Sequence, residues 1–406
     1  YLAFHKLKSG ILLASVTLML FLPAATRLLV EDSAQAMTAR ADQTPLVVGA
    51  SGSPLELILN SLYFHPEHPP ALPFSIADEV RETGLARVIP MYSRYQAQGA
   101  PIVGTSLDYF DFRKLSLASG RWMGLLGECV IGSSLAAQKG LRPGDNLLSS
   151  PETVFDIAGV YPLKMKVTGV LEPSGSPDDA AVFVDYRTAW VIEGLGHGHS
   201  DLAEPAAAAS VLNRREGVVT ANAALVEFAE ITPENVSAFH FHGDTGGFPL
   251  TSIILAPPDQ KNAALLRGRY QENEQGLQVV VPSSVLDDLL ATVFTVQNYV
   301  ILGLALLSLA TIAVITLVFL LSQQLRRGEF HTLSRIGASR GYIALLVASE
   351  VGFVLLASIA LSAVLTLVVR QYALQIFQSF LSLWYVTNRF FHIGTCLLYT
   401  SDAADD

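Results

Sequence analysis

Three long apolar runs interrupt an otherwise mixed sequence and set its organisation. Gly10 to Val30, Val293 to Leu321 and Tyr342 to Val369 each reach the roughly 20 residues that a helix needs to cross a hydrocarbon core of about 30 Å. The first contains Pro23 and Arg27, while the other two share a single charged residue, Glu350. Between the first and second runs, Glu31 to Thr292 mixes short apolar and polar stretches, as a folded domain does.

Glu31 to Thr44 has neither Gly nor Pro, so the first helix is expected to continue through 31–45 as a stalk that Pro45 ends. Leu46-Val47-Val48 is predicted as a strand, Ser75 as the N-cap of a helix through Thr83, and Ala86 to Met91 as another strand. These make an α/β part over 46–100. Over 101–185 the sequence predicts a β-rich part, with strands at Val130-Ile131-Gly132, Lys166 to Val170 and Ala181 to Val184 and a turn at Arg142-Pro143-Gly144-Asp145. Residues 186–249 read as a loop region containing His and Gly. The α/β part resumes over 250–281: a strand at Thr251 to Ala256, a helix capped by Asp259 and running to about Glu274, and a strand at Leu277 to Val281 closed by Pro282. Ser283 or Ser284 then caps a helix merging into the second apolar run, a stalk and span over 282–321. A loop at 322–341, a third span at 342–369 and an aromatic, mixed-polar stretch at 370–394 complete the pattern.

Composition fits this division, because 51% hydrophobic residues with only 15% charged is unusual for a soluble chain. Glu31 to Thr292 holds 17 Lys and Arg against 31 Asp and Glu, an acidic balance that argues against nucleic acid as a partner, since its phosphates would be repelled. Cys129 and Cys396 are too few for a disulfide framework. No Gly-x4-Gly-Lys-Ser/Thr phosphate loop is present, so ATP hydrolysis is not expected of this chain, and no Gly-x-Ser-x-Gly stands in a strand-turn-helix setting.

Charge sets the sidedness. The loop from Ser322 to Gly341 carries Arg326, Arg327, Arg335 and Arg340 against one acid, Glu329. That bias assigns it to the cytoplasm and Glu31 to Thr292 to the other side. Lys6 and Lys8, ahead of the first run, point the same way. Ala34-Gln35-Ala36 also fits the end of a cleaved secretory signal, and under either reading the following residues are exported.

The run Arg326-Arg327-Gly328-Glu329-Phe330, with Leu333, Ile336-Gly337-Ala338-Ser339-Arg340 and Ile343 after it and Glu350 in the next span, resembles FtsX-like ABC transporter permeases of the MacB and LolCDE class. Gly120-Arg121, Val130-Ile131-Gly132 and Leu135-Ala136 resemble the MacB-type periplasmic core. The resemblance implies an α-helical protein of the bacterial inner membrane carrying a large extracytoplasmic α+β domain of MacB periplasmic-core type. Such permeases have four spans; three are evident here and the fourth is missing. Residues 395–406 read as a non-native tail. The implied partners are a cytoplasmic ABC ATPase that binds ATP and Mg, a second permease copy in a homodimer or heterodimer, and an extracytoplasmic adaptor or cargo. The implied work is mechanotransmission, serving export or extraction of a lipoprotein, lipid, peptide or drug. The alternatives are regulation of a cell-wall hydrolase, as in FtsX, and a metal-binding module.

Candidate site residues follow. In the loop, Arg326, Arg327, Glu329, Leu333, Arg335, Ile336, Gly337, Ala338, Ser339 and Arg340 form the expected coupling element. Leu333 and Ile336 share one helical face for docking, and Gly337 is the C-cap; the same arginines would also anchor the spans at headgroups. Glu350, about 12 Å along the third span, is expected in a helix-packing or dimer contact, or snorkelling to the interface. His197, His199, His240 and His242 form two His-x-His pairs, which project on one face if extended and suit zinc or copper if the segments converge, or are solvated loop residues if they do not.

Overall fold

The structure, a computed structural model, describes residues 6–150, 162–198, 211–215, 218–221, 229–271 and 276–402. It divides into two compact units, Ala39–Asp287 and the pair of segments Tyr1–Thr38 and Asp288–Asp406.

Helix α1 (Lys6–Asp42) stops ahead of Pro45, as expected, and β1 (Leu46–Ala50) follows. Leu46, Val47 and Val48 are all buried, which is why apolar residues stand in succession there instead of alternating with polar ones. Ser53 accepts a hydrogen bond from the Glu56 amide at 3.3 Å and starts α2 (Pro54–Tyr63), with Pro54 in its first turn. After β2 (Leu72–Pro73), α3 (Ser75–Glu82) begins at Ser75 without a side-chain cap, because Phe74 already has helical angles. The expected Ser75 cap is therefore not formed. β3 (Arg87–Ala97) and β4 (Ala100–Thr105) join through Gln98 and Gly99, both at positive φ, as a two-residue hairpin turn requires.

α4 (Asp108–Arg113), β5 (Leu117–Gly120), β6 (Glu128–Ile131), α5 (Ser133–Lys139), β7 (Asn146–Ser150), β8 (Lys164–Leu171) and β9 (Val182–Asp185) form the middle of this unit. α6 (Tyr186–Glu193) lies where a loop was expected. Asp185 caps it by accepting from the Arg187 amide at 2.9 Å, Gly194 ends it in the left-handed region, and it buries Ala189, Trp190 and Ile192. The remaining elements are β10 (Gly196–Gly198), β11 (Val211–Arg215), β12 (Val218–Ala221), β13 (Phe239–Phe241), β14 (Pro249–Leu250), β15 (Ser252–Ala256), α7 (Gln260–Gln271) and β16 (Leu277–Val280).

One ten-stranded sheet runs β16-β1-β15-β3-β4-β9-β6-β8-β5, with β7 paired to β3 and β8. The expected boundary between an α/β part and a β-rich part does not divide this sheet. The reason is the length of β3, whose eleven residues pair with β15 at one end and β7 at the other, while β4 passes the sheet on to β9 in parallel. Leu46 and Val48 share a core with Ala77, Val80, Leu266 and Tyr270, whereas α2 contacts β1, β15 and β3. That is the two-residue alternation of a strand covered by helices.

Arg40, in the last turn of α1, enters this unit. Its Nη1 and Nη2 donate to the two Asp178 carboxylate oxygens at 2.7 and 3.0 Å, and Nη2 also donates to Tyr109 Oη at 2.7 Å. Tyr109 and Ser176 donate to the same carboxylate at 2.6 and 2.7 Å. The side chains are only 8% and 1% exposed. Burial works against the Asp178 charge, but the Arg40 charge and the hydrogen bonds outweigh it and hold the carboxyl below its ordinary range.

In the other unit, α8 (Pro282–Leu325), α9 (Arg327–Arg335) and α10 (Arg340–Asp402) join the apolar part of α1. Pro282 is the first residue of α8, so neither Ser283 nor Ser284 caps it; the Ser284 hydroxyl donates back to the Val281 carbonyl. Ser9–Asp42, Pro282–Leu325 and Arg340–Tyr372 are long and apolar enough to cross a membrane. Leu306, Leu309, Leu317 and Leu356 are each more than 60% exposed, a surface suited to lipid and not to water. The hydrophobic pattern ends the third span at Val369, yet α10 continues through Asp402, because no Pro interrupts it.

Replacing Asp178 with Asn leaves a buried guanidinium without its counter-charge and is expected to cost about 3 to 5 kcal/mol, read as a lowered unfolding midpoint of the full chain in detergent. Because the folded pKa of Asp178 lies below the unfolded value, the wild-type advantage is full above that value and disappears as pH falls through the folded one. A gap between the two proteins that is the same at acid and neutral pH would contradict this.

Candidate functional site

The basic loop is built by two helix ends. α8 stops at Leu325, and Arg326 links it to the short α9. At the far end of α9 the Gly337 amide donates to the Ser334 carbonyl at 3.2 Å and the Ala338 amide to the Leu333 carbonyl at 3.0 Å. This pair of bonds is a Schellman cap, and it places Gly337 at φ 102°, where a side chain is strained. Two residues later Ser339 accepts from the Tyr342 amide at 3.2 Å and starts α10. Ile336-Gly337-Ala338-Ser339-Arg340 is thus a stop followed by a start, and α9 is held in a fixed turn.

Arg326 is the tied residue of the loop. Its Nη1 donates to both Glu350 oxygens, at 2.9 and 3.2 Å, its Nε donates to Glu329 at 3.2 Å, and its guanidinium lies 5.2 Å over the Phe330 ring. The Arg326 and Glu350 side chains are 12% and 14% exposed. Of the contacts expected for this acid, helix packing, a dimer contact or snorkelling to the interface, the structure shows a pairing within the chain, with Arg326 at the end of α8. A cavity of about 220 Å³ beside the pair is lined by Ser9, Leu12, Ser322 and Gln323 among others. The N-terminal end of α1, the C-terminal end of α8 and the start of α10 consequently lie together. Further along α1 and α10, Arg370 Nε lies 3.9 Å from Asp32.

The rest of the loop faces outward. Arg327, Glu329, Arg335, Ser339 and Arg340 are exposed, Leu333 and Ala338 are half-buried, and Ile336 is 79% exposed. Leu333 and Ile336 were expected to share one apolar face; the structure makes Ile336 the C-cap and leaves it the more open of the two.

The histidines form a second cluster in the other unit. β10 pairs with β13 antiparallel, with His197 opposite His240, and His242 continues the same face. Ring centroids lie 4.8 to 5.0 Å apart for the three pairs, and one ring nitrogen from each residue lies within 4.8 Å of the others. His199 lies outside the described residues.

Among the pairings not anticipated from sequence are Arg326 with Glu350 and Arg40 with Asp178. For the first a signal was present: one acid in an apolar run needs a partner, and the first base of the adjoining loop is the nearest candidate. Gly120-Arg121, noted only as a resemblance, is structural: Arg121 forks onto Glu128 at 2.5 and 2.8 Å, and that carboxylate also accepts from the Gly124 and Leu125 amides.

Two family models match this arrangement, the MacB-like periplasmic core domain over residues 10–223 and the FtsX-like permease C-terminal domain over residues 301–400. The first alone covers more than half of the chain. The chain belongs to the FtsX- and MacB-type ABC transporter permeases. The permease also shows similarity to the extracellular domain of the noncanonic ABC-type transporter YknZ from Gram-positive bacteria, at 12% identity and TM-score 0.32 over 58% of this chain and 98% of that one. It is similar too to the periplasmic region of MacB from Actinobacillus actinomycetemcomitans, at 12% identity and TM-score 0.33 over 61% and 92%. Comparison with curated proteins gives no match. The α+β domain of MacB periplasmic-core type and the membrane-spanning helices are thus those of the family.

In this permease, Arg326→Ala and Glu350→Ala are expected to be non-additive. A double-mutant cycle on thermal unfolding in detergent should give a coupling of about 1 to 3 kcal/mol, and additivity would mean that the pair does not hold the loop.

Proposed function

We propose that this permease is the non-catalytic membrane subunit of an ABC complex and works by mechanotransmission. A separate cytoplasmic ATPase binds ATP and Mg, and its closure is passed through α9 and the long helices to the domain outside the membrane. The observation that carries this reading is the loop itself: α9 is fixed by the Gly337 and Ser339 caps and by the Arg326–Glu350 pair, while Ile336, Arg327, Arg335 and Arg340 stay exposed. A short rigid helix with an open apolar residue and three free-facing arginines suits a groove on a partner protein. Four Arg against one acid favour the cytoplasmic side for this loop and the far side of the inner membrane for Ala39–Asp287.

The long helices support it as well. α1 and α8 are single helices over 37 and 44 residues, about 55 and 66 Å at 1.5 Å per residue, well beyond the bilayer core, with Pro23 inside α1 removing one backbone donor and none inside α8 after its first residue. Continuous helices transmit displacement that a flexible linker would absorb. A second permease copy completes the complex in this reading, and the cargo is a lipoprotein, lipid, peptide or drug handled outside the membrane.

Ile336→Asp places a charge on the open apolar side chain of the C-cap residue, while the Gly337 and Ala338 amides that close the cap stay in place. It is expected to reduce co-purification of the ATPase from membranes and to lower permease-stimulated ATP hydrolysis about tenfold, a loss of about 1.4 kcal/mol of coupling, with the unfolding midpoint unchanged. If no ATPase co-purifies with the wild type, or if Ile336→Asp behaves as wild type, the coupling role is wrong.

A further inference from the structure

The β10–β13 ribbon has two unlike faces. Its sequences are Gly196-His197-Gly198 and Phe239-His240-Phe241-His242, so the two-residue period sends the phenyl rings one way and the imidazoles the other. On the first face Phe241 meets Trp190 edge-on at 6.2 Å and Phe248 at 6.0 Å. The rings lie across the opposite strand so closely that a Cβ at Gly196 would come within 2.6 Å of Phe241, and one at Gly198 within 2.5 Å of Phe239. Glycine is the residue that admits them. The apolar face thus seats the ribbon on the core, and that seating decides where the histidines stand.

On the other face three imidazole nitrogens lie within 4.8 Å of one another, and one pair already has the spacing of two ligands on one ion. His242 Nε2 lies 3.4 Å from His197 Nε2. Two nitrogens bound to one tetrahedral zinc at about 2.0 to 2.1 Å are about 3.3 to 3.4 Å apart, whereas the same separation is long for a hydrogen bond between rings. His240 Nδ1 lies 3.0 Å from the Ala238 carbonyl. That oxygen can only accept, so Nδ1 is the donor there and Nε2 is the nitrogen that the neutral ring would offer to a metal, the arrangement by which a backbone carbonyl orients a metal-binding imidazole. His197 and His240 are half-buried and His242 is exposed, so among the described residues the site is supported on one side and open on the other.

We infer that His197, His240 and His242 form a binding site for a divalent metal ion of the zinc class, with three imidazole ligands and a fourth position open to water or to an incoming carboxylate or imidazole. Neutral imidazoles suit zinc and copper and not magnesium or calcium, which take oxygen ligands. The excess of acids in Glu31 to Thr292 raises the local concentration of cations around the site. Bound metal would cross-link β10 to β13. The inference does not depend on the coupling role of the loop, which lies in the other unit.

The test uses the full chain in detergent, purified without a histidine tag and stripped with a chelator. Titration with zinc(II) alone is expected to saturate at one ion per chain and to raise the unfolding midpoint. Cobalt(II) alone should give the intense visible absorption of tetrahedral coordination, bleached by zinc. His197→Gln, His240→Gln and His242→Gln should each weaken zinc binding about tenfold or more while keeping the wild-type midpoint in chelator. Absence of stoichiometric zinc in the wild type, a weak octahedral cobalt spectrum, or a triple variant that binds as the wild type does would each overturn the site. The cobalt measurement on wild-type protein decides even if a variant fails to fold.

Discussion

A guanidinium removed from water must be given its counter-charge, and this constraint sets how two long helices end. Arg40 in the last turn of α1 reaches Asp178, and Arg326 just past α8 reaches Glu350. In both cases the desolvation cost is offset by a forked or paired carboxylate with further hydrogen bonds around it. Neither pair is a surface ornament, since their side chains are 1% to 14% exposed. Each ties a helix terminus to a residue distant in sequence, where an unpaired cation could not be tolerated.

The basic loop between α8 and α10 gains its character from the same economy of groups. Arg326 is committed to Glu350, which leaves Arg327, Arg335 and Arg340 to face outward. Gly337 stops α9 because its positive φ lets two amides turn back onto α9 carbonyls, and Ser339 restarts the chain as α10 by accepting one amide. A loop with such ends is a rigid projection. Rigidity is the property that the proposed mechanical role would demand, and the exposed Ile336 is where an apolar contact would gain most.

Alternation does comparable work in the other unit. The same period of two that buries Val48 beside Ile253 in the large sheet sends Phe241 inward and His240 outward in the small ribbon. The difference lies in what covers the second face. Helices cover the large sheet, whereas the imidazoles of the ribbon face one another.

Much of this protein was legible in its sequence. Span length, the Arg bias of the loop, the stop at Pro45, the strands at Leu46, Val130 and Val182, and the glycine at 337 are local properties, because chain length, fixed proline geometry and the φ > 0 requirement act over a few residues. The family could be read from the loop motif for the same reason. What only the tertiary structure decided is which residues meet. That Glu350 faces Arg326, that Arg40 finds Asp178 138 positions away, that β3 carries one sheet across an expected boundary, and that His197 stands opposite His240 all depend on packing of segments far apart in the chain. Side-chain chemistry states what each group needs, and only the fold determines which distant group supplies it.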